Sequence, residues 1–94
     1  DGTMQPFDRN KLLVGLMRAT SKREIDISQL NALIDDIELE LRGRTLTNVS
    51  SHEIGDMVLK RLEKIDKVAY IRFASVYRDF KDVEEFLQEL DKLR

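Results

Sequence analysis

The sequence predicts a mainly α-helical domain: a compact four-helix bundle plus a short C-terminal helix, with an N-terminal extended segment that reads as the remnant of a β-hairpin lid. Three observations predict it. Leu, Glu, Lys, Asp and Arg dominate while Pro occurs once and Gly four times, which favours helix over sheet. Apolar residues recur at steps of three and four along several runs. Residues suited to helix caps stand ahead of those runs. The length of 94 residues fits one domain, 1–94. A chain this short hides only about two-thirds of its unfolded surface, so its core is small.

Residues 1–7 read as a turn and a short extended segment. Asp1-Gly2 is a tight-turn pair. No Met precedes it, so the chain is expected to be a fragment that has lost a preceding strand. Pro6 keeps Gln5 out of the helical region. Asp8 then caps a first helix from about Arg9 to Ser21, with Leu12, Leu13, Leu16 and Met17 as its apolar stripe. Gly15 inside that helix costs about 1 kcal/mol relative to Ala, and close helix packing is its ordinary explanation.

Asp26 or Ser28 caps a second helix whose Leu30, Leu33, Ile34, Ile37 and Leu41 form the clearest stripe in the chain. Asp35, Asp36, Glu38 and Glu40 form its solvated side, and Gly43 is a C-terminal stop. Thr45 to Val49 is β-branched and short, suited to a brief strand. Ser50 and Glu53 fit a capping box for a third helix, which turns Ile54, Met57, Val58, Leu62 and Ile65 inward. Asp66 or Lys67 breaks that pattern. The fourth helix carries Val68, Ala69, Ile71, Phe73, Val76, Tyr77 and Phe80 on more than one stripe, as a central element would. Asp82 caps a last helix with Val83, Phe86, Leu87 and Leu90 on one face.

Composition narrows the chemistry. There is no Cys, which excludes disulfides and thiolate-bound zinc within the chain. The net charge of −2, with acids and bases interspersed, is unsuited to gripping a phosphate backbone. No apolar run reaches the roughly 20 residues of a membrane span, and no signal-peptide pattern occurs, so no membrane partner and a cytoplasmic location are expected. The single His, His52, has no nucleophile or orienting partner at motif spacing, and no enzyme is expected. Asp35-Asp36 and Glu84-Glu85 are adjacent pairs rather than spaced calcium ligands, and no metal site is expected. Neither a Walker-type loop nor a GxGxxG occurs.

Two segments stand apart. The stretch from Asp1 to Lys11 combines a turn, a Pro-Phe step, a helix start and a lysine one turn in. Backbone donors at a helix N-terminus favour anions, and Lys11 adds a mobile charge, although such a lysine is ordinarily just exposed. The segment Val68-Ala69-Tyr70-Ile71-Arg72-Phe73-Ala74-Ser75-Val76-Tyr77-Arg78-Asp79-Phe80 mixes Tyr70, Arg72 and Tyr77 into an apolar helix. The ordinary reading places both tyrosines in the core with their hydroxyls at the rim.

That segment resembles the signature of NrdR-type bacterial repressors of ribonucleotide reductase genes. The order of Gly2 in a turn, Pro6-Phe7-Asp8, Lys11, and Val49-Ser50-Ser51 leading into Glu53-Ile54-Gly55 is similar as well. The resemblance spans essentially the whole chain. Pro-Phe-Asp is shared by ATP-cones generally, including those of reductase subunits.

The resemblance implies an ATP-cone, a helical bundle roofed by a small β-hairpin, that binds ATP or dATP, with Mg²⁺ as a possible companion. In the family an N-terminal ribbon holding Zn²⁺ contacts the DNA operator, and the bound nucleotide sets the homo-oligomeric form. Carried onto this chain, the nucleotide-binding residues implied are Lys11 at the phosphates, Tyr77 at the nucleotide, and Gln5 and Phe7 on the closing segment. Arg72 and Tyr70 match the signature and are structural or nucleotide-binding. Many relatives carry Glu where Gln5 stands. The ribbon's four cysteines and the first hairpin strand have no counterpart here. Specific DNA binding by this chain alone is therefore not expected.

The function expected is a regulatory nucleotide sensor rather than an enzyme. One alternative is a helical interaction or oligomerisation module without a ligand, using the apolar fourth and last helices. Another is the ATP-cone of a reductase subunit. Whether nucleotide changes the mass in solution separates the sensor from the module.

Overall fold

The computed structural model describes residues 4–44, 48–77 and 83–93. Strand β1 (Met4–Pro6) is followed by helices α1 (Arg9–Ala19) and α2 (Ile27–Gly43), strand β2 (Asn48–Ser50), then α3 (Ser51–Ile65), α4 (Lys67–Tyr77) and α5 (Val83–Asp91). The strands pair antiparallel, with Met4 opposite Ser50, Gln5 opposite Val49 and Pro6 opposite Asn48. Pro6 has no N–H for a ladder, and a short edge strand tolerates it. Thr45 to Thr47, the first part of the expected second strand, lie outside the described residues, as do Asp1-Gly2, Phe80 and Asp82.

Caps set the helix starts. The Asp8 carboxylate accepts from Lys11 N–H at 3.1 Å. Asp26, rather than Ser28, caps α2 in a reciprocal box with Gln29. Ser50 accepts from Glu53 N–H at 3.1 Å. Asp66 serves two helices: its backbone N–H bonds Leu62 at the end of α3, and its carboxylate accepts from Ala69 N–H in the first turn of α4. That carboxylate also binds Arg23 at 2.9 Å, so one residue ties the α1–α2 connection to the α3–α4 corner.

The core lies among α1 to α4. Leu16, Ile34, Ile37, Val58, Leu62 and Phe73 are its largest fully buried side chains. The α2 stripe is buried as its spacing predicts. Helix α4 packs on both α3 and α1, the central position expected of it.

Several expectations need correction. Helix α1 ends at Ala19, not Ser21, because the Thr20 hydroxyl turns back onto Leu16 O at 2.8 Å and the chain then reaches Lys22 at φ 63°. Helix α2 runs through Gly43, and Arg44 is the cap. Met17, Ile65 and Val68 are exposed. Leu59 is buried where Ile65 was expected, since the buried face of α3 centres on Leu62. The largest departure is α5. Val83 and Leu87 are 72% and 53% exposed, and the buried residue is Glu89 at 4%.

Candidate functional site

The face shared by α1 and α4 opens into a cleft of about 500 Å³. Lys11, Gly15 and Arg18 line it from α1 because positions four and seven residues apart share a helical face. Arg72, Phe73, Val76 and Tyr77 line it from α4. Val76 is 76% exposed, so the apolar surface of α4 beyond the core stripe faces this opening. Among the described residues no carboxylate lines the cleft.

A second cavity of about 200 Å³ lies beneath the two strands, where Gln5 and Phe7 meet Val49, Ser50 and Ile54. Lys11 and Tyr77 line both cavities, so the two compartments meet at these side chains. Of the residues the sequence singles out, Lys11, Tyr77 and Arg72 therefore line the cleft, and Gln5 and Phe7 line the neighbouring cavity that shares Lys11 and Tyr77 with it.

Tyr77 is the hinge of this geometry. Its ring stacks on Phe73 with centroids 4.2 Å apart and planes 9° from parallel. Two glycines make room for it. A Cβ on Gly55 of α3 would stand 3.3 Å from Tyr77 Cδ1, and one on Gly15 of α1 would stand 3.8 Å from the hydroxyl. Gly55 is thus small because the tyrosine ring lies against α3. Partial burial raises the phenol's pKa above its ordinary value, so it stays a neutral donor at physiological pH.

Several arginines outside the cleft are held in ion pairs. Arg9 pairs with Asp35 and Glu38, Arg44 with Glu40 and Glu53, and Arg61 with Asp36 and Glu40. Lys11 and Arg18 have no carboxylate partner among the described residues. Arg72 donates to Ala19 O at 3.3 Å and Ser21 O at 2.7 Å, which are carbonyls at the end of α1. It satisfies a helix terminus and keeps its charge uncompensated. These three cations supply donors for an anion, and the aromatic and aliphatic walls supply a surface for a flat ring.

Tyr70 lies elsewhere. It is 4% exposed, and its hydroxyl donates to Glu89 on α5. Its hydroxyl is buried rather than at a rim, because a carboxylate from another helix comes to meet it. His52 is exposed at the start of α3. Among the described residues no group of three or more His, Cys, Asp or Glu could hold a metal ion.

Arg18 and Gly55 were not singled out from sequence as site residues. Arg18 was legible: it stands seven residues after Lys11, two turns along the same face. Gly55 offered only an interior helical glycine, whose reason is a ring from a distant helix.

A helical bundle under a two-stranded roof, with a cationic, aromatic-walled cleft, is the architecture of an ATP-cone. The chain belongs to the ATP cone domain family, whose model matches residues 1–83. It is 54% identical over 93 residues to the transcriptional repressor NrdR of Carboxydothermus hydrogenoformans, covering 99% of this chain and 60% of that protein. It is 50% identical over 94 residues to NrdR of Dictyoglomus thermophilum, covering 100% of this chain and 63% of the relative. Identity to NrdR of Caldicellulosiruptor bescii is 48% over 93 residues, with 99% and 61% covered. The chain thus spans about three-fifths of the length of these transcriptional repressors. The family match ends at the first residue of α5, whereas similarity to the repressors continues through that helix.

Proposed function

We propose that this chain is the nucleotide-sensing domain of a transcriptional repressor of ribonucleotide reductase genes, and that ATP and dATP compete for the cleft between α1 and α4. The observation that carries the reading is the set of cations at an aromatic-walled cleft that no carboxylate lines among the described residues. Arg9, Arg23, Arg44 and Arg61 are neutralised by ion pairs, whereas the cations at the cleft keep their charge for a ligand.

Lys11 receives the phosphates, with Arg18 and Arg72 as further donors, because charged donors make the stronger hydrogen bonds to phosphate oxygens. The Asp8 carboxylate already takes a free N–H at the start of α1, so the phosphates bind mainly through side chains rather than that helix end. Tyr77 and Phe73 offer the face for a base. Gln5, beneath the strands, is the polar group that would read the sugar's 2′-OH. Any Mg²⁺ enters on the phosphates. Zn²⁺ belongs to a separate ribbon, since this chain has no cysteine.

Regulation follows from differential affinity. A nucleotide changes assembly only as far as it binds one arrangement of subunits better than another. In the whole protein the nucleotide would set the homo-oligomer, and the homo-oligomer would set operator binding through the zinc ribbon. No described helix is long and apolar enough to cross a membrane, which accords with a cytoplasmic regulator acting on DNA. The similarity to repressors that continues through α5 favours this reading over a cone cut from a reductase.

Calorimetric titration with ATP and dATP in the presence of Mg²⁺ tests the assignment. Saturable binding is expected, weakened roughly 10- to 100-fold by Lys11→Ala, the range of one charge-assisted hydrogen bond. Binding that ignores Lys11→Ala and Tyr77→Ala alike would remove the cleft as the site. A Gln5→Ala variant with unchanged preference between ATP and dATP would remove Gln5 as the sugar reader.

A further inference from the structure

Helix α5 docks through a face that sets one acid among the half-buried Phe86, Leu90 and Leu93. Val83 and Leu87 face solvent, while Glu89 is buried and accepts the Tyr70 hydroxyl. Lys92 places Nζ 3.1 Å from the same carboxylate. A buried carboxylate is retained only where donors replace its water, so this contact fixes where α5 sits beside the half-buried Phe86, Leu90 and Leu93. With Val83 and Leu87 left outside, α5 buries little apolar surface, and such an element is among the least costly to displace.

What lies behind α5 gives the contact a consequence. A cavity of about 300 Å³ separates α5 from α3, walled by Gly55 and Leu59 on one side and Glu85, Gln88 and Glu89 on the other. Tyr77 also lines it. The same ring lines the cleft between α1 and α4 and the cavity beneath the strands. Phe73 supports one face of the ring and Gly55 lies against it from α3. A ring that shifts on the cleft side therefore changes the wall that α5 rests near.

We propose that α5 is a movable output element of the cone, its docking through Tyr70 and Glu89 coupled by the Tyr77 ring to occupancy of the cleft. The inference rests on the nucleotide-binding reading. It assigns Tyr70 a positioning role: it holds α5 and acts on nucleotide through that helix, without touching the ligand. By reciprocity, whatever nucleotide does to α5 docking, α5 docking must do to nucleotide affinity.

The test combines amide hydrogen exchange with calorimetry on this chain, on Tyr70→Phe and on Glu89→Gln. Saturating ATP or dATP is expected to change exchange across α5 about threefold or more while the buried amides of α2 hold. Without nucleotide, both variants should speed α5 exchange roughly tenfold and leave α2 unchanged. Both should also shift the dissociation constant by the same factor and in the sign that linkage requires: tighter if nucleotide loosens α5, weaker if it firms it. Calorimetric binding with α5 exchange unaltered would overturn the coupling and leave the nucleotide reading standing. Failure of nucleotide to bind would overturn that reading, and the coupling falls with it. Tyr77→Ala supplies a ligand-free check on the ring: α5 exchange equal to that of the unaltered chain, with α2 protected, would by itself refute the path through Tyr77.

Discussion

At the scale of single residues, two glycines separate space from function. Gly55 and Gly15 both border Tyr77, but at 3.3 Å and 3.8 Å from a built Cβ. Ala at Gly15 meets ordinary contact, so its helix propensity should raise stability by up to about 1 kcal/mol in a urea melt. Ala at Gly55 must push the ring by a few tenths of an ångström. That crowding should cancel most of the same gain, and calorimetry should show weaker nucleotide binding. Equal effects from the two substitutions would mean that the ring's seat is not tightly set. Arg18→Ala should also weaken nucleotide binding about tenfold with little change in thermal stability, since its guanidinium has no carboxylate to lose. Unchanged affinity would return Arg18 to an ordinary surface role.

At the scale of elements, caps and ion pairs decide where each helix begins and how acid acts on the fold. Ser50→Ala should cost about 1 kcal/mol, the usual worth of an N-cap, measurable by denaturant unfolding. Asp26 is held below its ordinary pKa of 3.8 first by the Ser28 hydroxyl and then by Gln29 N–H. Asp66 is held below it first by Ala69 N–H and then by Arg23. Arg44 and then Arg61 lower Glu40 from its ordinary 4.5. The folded state thus binds protons less readily than the unfolded chain. The stability these groups contribute is complete above the ordinary carboxylate range and is lost as pH falls through the folded values. Thermal melts between roughly pH 6 and pH 2 should show this fall, and Asp66→Asn should flatten it. A melting temperature independent of pH over that range would contradict the assignment.

The legibility of these elements divides along the same line. Asp8, Asp26 and Ser50 announced their helices because a cap is a local bond between residues three apart. The stripe of α2 was legible because one broad face meets the core. Helix α5 was not, since periodicity finds the apolar face but not the partner. Tyr70 needs a buried acceptor, and Glu89 supplies it from 19 residues away. Val76 misled for a related reason: an apolar residue on a cleft wall looks like a core residue in sequence. Lys11 and Tyr77 were singled out through the family resemblance, whereas the cleft that both of them line needed the packing of α4 against α1.

At the scale of the whole molecule, Tyr77 lines both the cleft proposed for nucleotide and the cavity beneath α5. The cationic cleft lies between α1 and α4, and α5 faces α3 across the other cavity. A regulatory domain needs such an arrangement, because a site can bias assembly only through an element that differs between states. The central claim is that nucleotide binds this cleft and changes how the protein associates. Titrating the chain with ATP and dATP in a calorimeter, with light scattering on the same samples, tests it most directly. The account predicts saturable binding of both, lost or weakened in Lys11→Ala and Tyr77→Ala, with a mass that differs between the two nucleotides. Absence of binding, both in this chain and in one extended at its N-terminus, would contradict it and favour a helical interaction module instead.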